Sequence, residues 1–246
     1  MSSKDAEPIR ITVKPIGGGL TGPKRAKSQQ AALEGVLQPY LNRLKESAQR
    51  AVSLVELSLK VQSAGGRPFE VEDLLRAAVV LSHAHLDDLL RTLAIELLPE
   101  GSEDSMKDIK VSLGTLVRHK GKLVDEALPA VVSETLRRQS FNTTKDVREM
   151  MKKLGVNLPG DKEEEKDLVA IDQMMKRRHQ IVHGADRVKL PDSDTYTLCP
   201  IEASEVQNWV LATRRFMIRL VARSLTTEIR LRGMLNKEPN SGSVRG

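Results

Sequence analysis

Between positions 33 and 59 apolar side chains return at steps of three and four: Leu33, Leu37, Leu41, Leu44, Ala48, Val52, Val55 and Leu59. An α-helix gathers that spacing onto one face. The pattern predicts one long amphipathic helix from Ser28 to about Ala64, stopped by "AGGRP". Aromatic residues make up only 2 % of the chain, so Leu, Val, Ile, Ala and Met must build the core, which also favours helices.

The rest of the chain reads the same way. A second helix is expected from Phe69 to Leu98, with "EVED" at its positive end and Pro99 and Gly101 after it. Three shorter helices are expected between Ser105 and Leu154, broken near "HKGK" and at "QSFNTT", with Gly155 capping the third. Another runs from Lys162 to His183, acidic at its start and basic at its end, with Gly184 expected just past its last turn. The loop "ADRVKLPDSDTYTLCP" then leads to a last long helix from Glu202 to Leu235. The expected fold is an all-α bundle: one helical domain over 28–235, a flexible glycine- and proline-rich arm over 1–27, and a disordered tail over 236–246.

With 246 residues, 39 % hydrophobic and 29 % charged, the chain can bury one sizeable core. No apolar run approaches the roughly 20 residues of a membrane span. The start lacks the apolar stretch of a secretory signal. A single cysteine, Cys199, excludes an intrachain disulfide, so a reduced, cytoplasmic setting and no membrane partner are expected. A net charge of +6 is compatible with an anionic partner but does not demand one. The glycines at 17–22 do not form a phosphate loop, because Pro23 precedes Lys24 and Ala26 stands where a hydroxyl is needed.

The stretch "MMKRRHQIVHGADR" breaks the pattern of its surroundings by setting the adjacent Arg177 and Arg178 just before two of the five histidines. At about 100° per residue, Arg178 falls inside the apolar sector of Leu168, Ile171, Met174, Ile181 and Val182. Arg177 falls on the opposite, solvent side, and His179 and His183 share the sector's edge one turn apart. A guanidinium aimed at apolar packing needs a partner. Spacing leaves two choices: an internal salt bridge, with Asp87 or Asp88 as candidates, or a cleft or dimer seam where Arg178 meets a substrate anion.

"RHQIVHG" resembles the Arg-polar-x-x-x-His signature of HEPN domains, with Arg178, His179 and His183 in its three positions. The lead-in "SFNTTKDVREMMKKLGV" is similar to that of the RiboL-PSP-HEPN subfamily, and the motif region spans 139–186. The resemblance implies a homodimer whose two motifs form one composite site, acting as a metal-independent endoribonuclease, in some cases a toxin or antiviral defence factor restrained by an antitoxin such as a nucleotidyltransferase. His183 would then move the proton of the attacking 2′-hydroxyl or of the leaving 5′-oxygen, and Arg178 would hold the phosphate. His179 would orient the pair or contact RNA, and the product would end in a 2′,3′-cyclic phosphate. No cofactor is called for. Other HEPN proteins keep the fold without cleaving, so the alternative is a non-catalytic module that dimerises or binds nucleotide or protein.

Three rival constellations remain. His179 and His183 are spaced as metal ligands, but "HQIVH" lacks the glutamate of a metalloprotease helix, and His83 and His85 point about 200° apart on a helix, so no metal is expected. Cys199 reads as a buried thiol. Arg214, Arg215, Arg219 and Arg223 form a basic stripe that either tracks an RNA backbone or faces solvent. Tyr40, Phe141, Tyr196, Trp209 and Phe216 are too scattered to form a stacking platform, so aromatic recognition of a splayed-out single strand is not expected, and any bound RNA must be held by charge and a shaped cleft.

Overall fold

The computed structural model describes residues 23–98, 112–121, 123–137, 139–156, 158, 160–189 and 194–235. Among them are seven helices: α1 (Pro23–Ser63), α2 (Pro68–Leu97), α3 (Leu113–Arg118), α4 (Val124–Leu136), α5 (Thr144–Lys153), α6 (Lys162–Gly184) and α7 (Ala203–Leu235). The expected all-α bundle is observed. The first helix starts at Pro23, so it takes in the last residues assigned to the arm. The rest of that arm, the tail, and the stop at Pro99 and Gly101 lie outside the described residues.

Helix ends follow backbone chemistry. After α1, Gly66 N–H donates to the Val61 carbonyl (2.8 Å) and Gly65 N–H to that of Gln62 (3.1 Å), the paired bonds of a Schellman cap with Gly65 at φ +77°. A Cβ on Gly66 would lie 2.3 Å from Val61 Cγ1 and 2.8 Å from its carbonyl oxygen. The same cap ends α5, where Gly155 takes φ +67° and Val156 N–H donates to Met151 O (2.9 Å), as "KKLGV" suggested. Thr143 caps the start of α5 in a reciprocal box with Asp146. Asp161 caps α6 by accepting from Glu164 N–H (2.7 Å).

Helix α2 is the centre of the bundle. It packs against α1, α4, α5, α6 and α7, and α6 also packs against α7. Leu75, Ala78, Val79, Leu86, Leu90 and Ala94 of α2 are fully or almost fully buried, and one apolar cluster joins them to residues of the other long helices. Burial fades along the C-terminal turns of α6, where Ile181 still packs against that cluster. Ile171, Met174 and Met175 are buried, Ile181 is half-buried and Val182 is exposed.

The segment after α6 departs from the expected loop. Arg187–Lys189 (β1) and Tyr196–Leu198 (β2) pair antiparallel, with Arg187 opposite Leu198, Val188 opposite Thr197 and Lys189 opposite Tyr196. All six residues are exposed. The ribbon was not anticipated because neither strand buries a face, so no apolar–polar alternation marks it.

Candidate functional site

The motif sits on the part of α6 that projects beyond the core. His179 and His183 are exposed, one turn apart, with ring centroids 4.5 Å from each other and planes tilted by 47°. Arg178 beside them is half-buried. Its Nε is closed off from solvent without a hydrogen-bond partner. Among the described residues its guanidinium makes no ion pair. The internal bridge to Asp87 or Asp88 is absent: Asp87 is held by Arg91 (2.6 Å). Of the two choices left by spacing, the internal bridge to Asp87 or Asp88 is therefore not made among the described residues.

The pairing expected for Arg178 is made by its neighbour. Arg177 Nη2 donates to Asp186 Oδ2 (2.9 Å) and to the carbonyls of Cys199 (2.9 Å) and Pro200 (2.8 Å). Arg177 is therefore turned inward, correcting its expected place on the solvent side. A helical wheel registers only the helix's own apolar residues, whereas here the base of the ribbon covers a second side of α6.

Asp186 is the residue that sequence reasoning missed. It is buried at 1 % exposure, and its Oδ2 also accepts from Arg76 Nε of α2 (2.7 Å). Arg76 reaches Glu72 (2.8 Å) and the Cys199 carbonyl (3.1 Å) as well. Burial alone would lower the Arg76 pKa, but the bonds and charges of Asp186 and Glu72 outweigh it and raise it. Asp186 N–H bonds back to Gln180 O (3.1 Å), and Cys199 N–H closes the ribbon on Asp186 O (2.8 Å). This knot explains a second difference. Gly184 is the last helical residue, and the left-handed positions fall on Ala185 (φ +49°) and Asp186 (φ +55°). Two arginines fix the Asp186 carboxylate strongly enough to hold a backbone conformation that residues with a Cβ rarely adopt.

Behind the motif, His83 of α2 is buried, and its Nε2 donates to the Phe141 carbonyl (3.1 Å). Burial, and then the charge of Arg178, hold its pKa below the ordinary histidine value. Phe141 is fully buried, and Arg91 ties the same turn down through the carbonyls of Leu136 and Gln139. The lead-in "SFN" thus anchors α5 against α2 alongside the motif helix.

The arginine stripe on α7 faces α6. Arg215 bonds Asp167 through Nε (3.2 Å), Arg219 pairs with the same carboxylate, and Arg223 with Glu164. Asp167 and Glu164 are buried. Burial would raise the Asp167 pKa, but hydrogen bonds from Arg215 and Arg219 together hold it below the usual value. Three arginines of the stripe therefore have partners inside the bundle; Arg214, half-buried, has no ion pair among the described residues. Among those residues no three His, Cys, Asp or Glu side chains gather as metal ligands, and no helix is long and apolar enough to cross a membrane. Cys199 is buried, and its backbone rather than its thiol is used.

A helical bundle with an Arg-His-x-x-x-His motif on the projecting end of one helix defines a HEPN-type protein. The family model RiboL-PSP-HEPN matches residues 45–200, well over half of the chain, and the chain belongs to that family. Neither the curated proteins nor the solved structures contain a match. Membership points to a role as an RNase or as a nucleotide-binding module.

Proposed function

We propose that the chain is a metal-independent endoribonuclease that acts as a homodimer, with Arg178 and His183 in the principal roles. The observation carrying this reading is the half-buried Arg178 guanidinium, which pairs with no carboxylate among the described residues and stands beside two exposed imidazoles. RNA brings its own nucleophile. His183 of one subunit takes the 2′-hydroxyl proton as that oxygen attacks phosphorus, and His183 of the partner subunit protonates the departing 5′-oxygen. An imidazole can take a proton on a ring nitrogen or give one up, which suits both tasks. Arg178 offers a planar fork of donors to the phosphate oxygens as charge builds on them. His179, whose ring lies 4.5 Å from that of His183 at a 47° tilt, orients it. The exposed Val182 gives the last turn an apolar contact for the second copy.

The test is cleavage of structured and unstructured RNA in EDTA by the wild-type chain, Arg178→Ala and His183→Ala, with folding checked by circular dichroism. Expected are products ending in 2′,3′-cyclic phosphate, no cleavage of DNA, and rate losses of at least roughly 10²-fold in both variants. No cleavage of any RNA by the wild type defeats the proposal. It would favour a non-catalytic module, a reading supported by the internal pairing of Arg215, Arg219 and Arg223.

A further inference from the structure

The ribbon after the motif carries a side-chain set that suits an unpaired nucleotide. Cross-strand partners share a face, as do residues two apart on one strand. The observed register therefore places Arg187, Lys189, Tyr196 and Leu198 on one face, with Val188 and Thr197 on the other. Tyr196 is 63 % exposed, so its ring is open to a partner. Lys189 pairs with the fully exposed Asp194 (2.9 Å), a surface contact that holds the amine only weakly. Arg187 makes no ion pair among the described residues. An aromatic ring with a weakly held lysine opposite it and an arginine on its diagonal matches a base with its adjoining phosphates.

The ribbon is also fixed relative to the motif. Arg187 follows His183 by four positions, β1 packs against α6, and the base is closed by Cys199 N–H on Asp186 O (2.8 Å). Asp186 is in turn clamped by Arg177, the residue next to Arg178. A nucleotide held on the ribbon therefore keeps a set relation to a phosphate held by Arg178.

We infer that the Arg187–Lys189–Tyr196 face binds single-stranded RNA next to the cleaved phosphate, with Tyr196 stacking on an unpaired base. The inference rests on the nuclease reading for the word "cleaved" and makes single-stranded or looped RNA the substrate class. Charge favours RNA over a second copy of this chain, which would bring the same cations face to face. A duplex keeps its bases stacked within the helix and offers Tyr196 nothing to stack on.

The test measures binding of a fluorescein-labelled single-stranded RNA ten nucleotides long, and of its blunt duplex, in a His183→Ala background that does not cut. Tyr196→Ala is expected to weaken single-strand binding roughly 5- to 100-fold, the range of one base–aromatic stack. Tyr196→Phe is expected to restore it to within about twofold. Arg187→Ala with Lys189→Ala should flatten the log–log salt dependence by roughly 1.4, two single-strand phosphates' worth. Duplex affinity should not respond to Tyr196. Unchanged single-strand binding in Tyr196→Ala overturns the inference. So does a loss of dimer by light scattering with RNA affinity retained, which would make the face a protein seam. Tyr196-dependent binding without cleavage by the wild-type chain keeps the ribbon and removes the nuclease. Cleavage that needs Arg178 and His183 but ignores Tyr196 does the reverse.

Discussion

At the scale of single residues, Asp186 and His83 carry the sharpest consequences. Removing this buried carboxylate takes from Arg177 its ion pair and leaves Arg76 only Glu72 and Asp73 among the described residues. Asp186→Ala is expected to cost about 3–5 kcal/mol, read as a lowered urea midpoint. His83 sets a pH dependence. Its folded pKa lies below the ordinary 6.5, so the unfolded chain binds a proton more readily. Stability is then full above about 6.5 and falls as pH drops from there toward the lowered folded value. Between pH 7.5 and 5.5 the urea midpoint should fall less in His83→Gln, whose amide can still donate to Phe141, than in the wild type; equal falls would show that His83 does not contribute. His85, shifted the same way by burial first, leaves a residual slope in the variant. The motif's residues were legible because Arg178, His179 and His183 are adjacent in sequence on a regular helix. Asp186 was not, since its partners Arg76 and Cys199 lie far along the chain and no periodicity records such a meeting.

At the scale of elements, the two glycines that end helices α1 and α6 have opposite expected responses. Gly66→Ala drives a methyl into the Val61 backbone, and a loss of about 1–3 kcal/mol is expected by thermal denaturation. Gly184→Ala meets open space at a helical position without a positive φ. It should be neutral or stabilise by up to about 1 kcal/mol. A large loss at 184 would mean that the glycine serves the site rather than the helix. The long helices were legible because burial of one face imposes a period on the sequence, and their caps at Gly65, Gly155 and Thr143 have local chemical signatures. The ribbon and the inward turn of Arg177 escaped notice for one reason. Both depend on the segment after α6 folding back over it, a contact between elements with no period of its own.

At the scale of the whole molecule, one apolar cluster runs through α1, α2, α4, α5, α6 and α7. Unfolding is therefore expected to be a single transition. The lone Trp209 reports on the core directly, since it is buried on α7 with its indole N–H on Gln173 of α6 (3.4 Å). Its fluorescence midpoint should coincide with that of far-ultraviolet circular dichroism; two separated midpoints would divide the chain into independent units. The Asp186–Cys199 closure has an engineering consequence. Both ends of the 187–198 segment are held at one point by the bundle itself, so the intervening strands can be exchanged as a cassette of equal length without rebuilding the helices. Grafting ribbons of other composition onto this anchor offers a direct way to change the chemistry of that face while the motif helix stays in place.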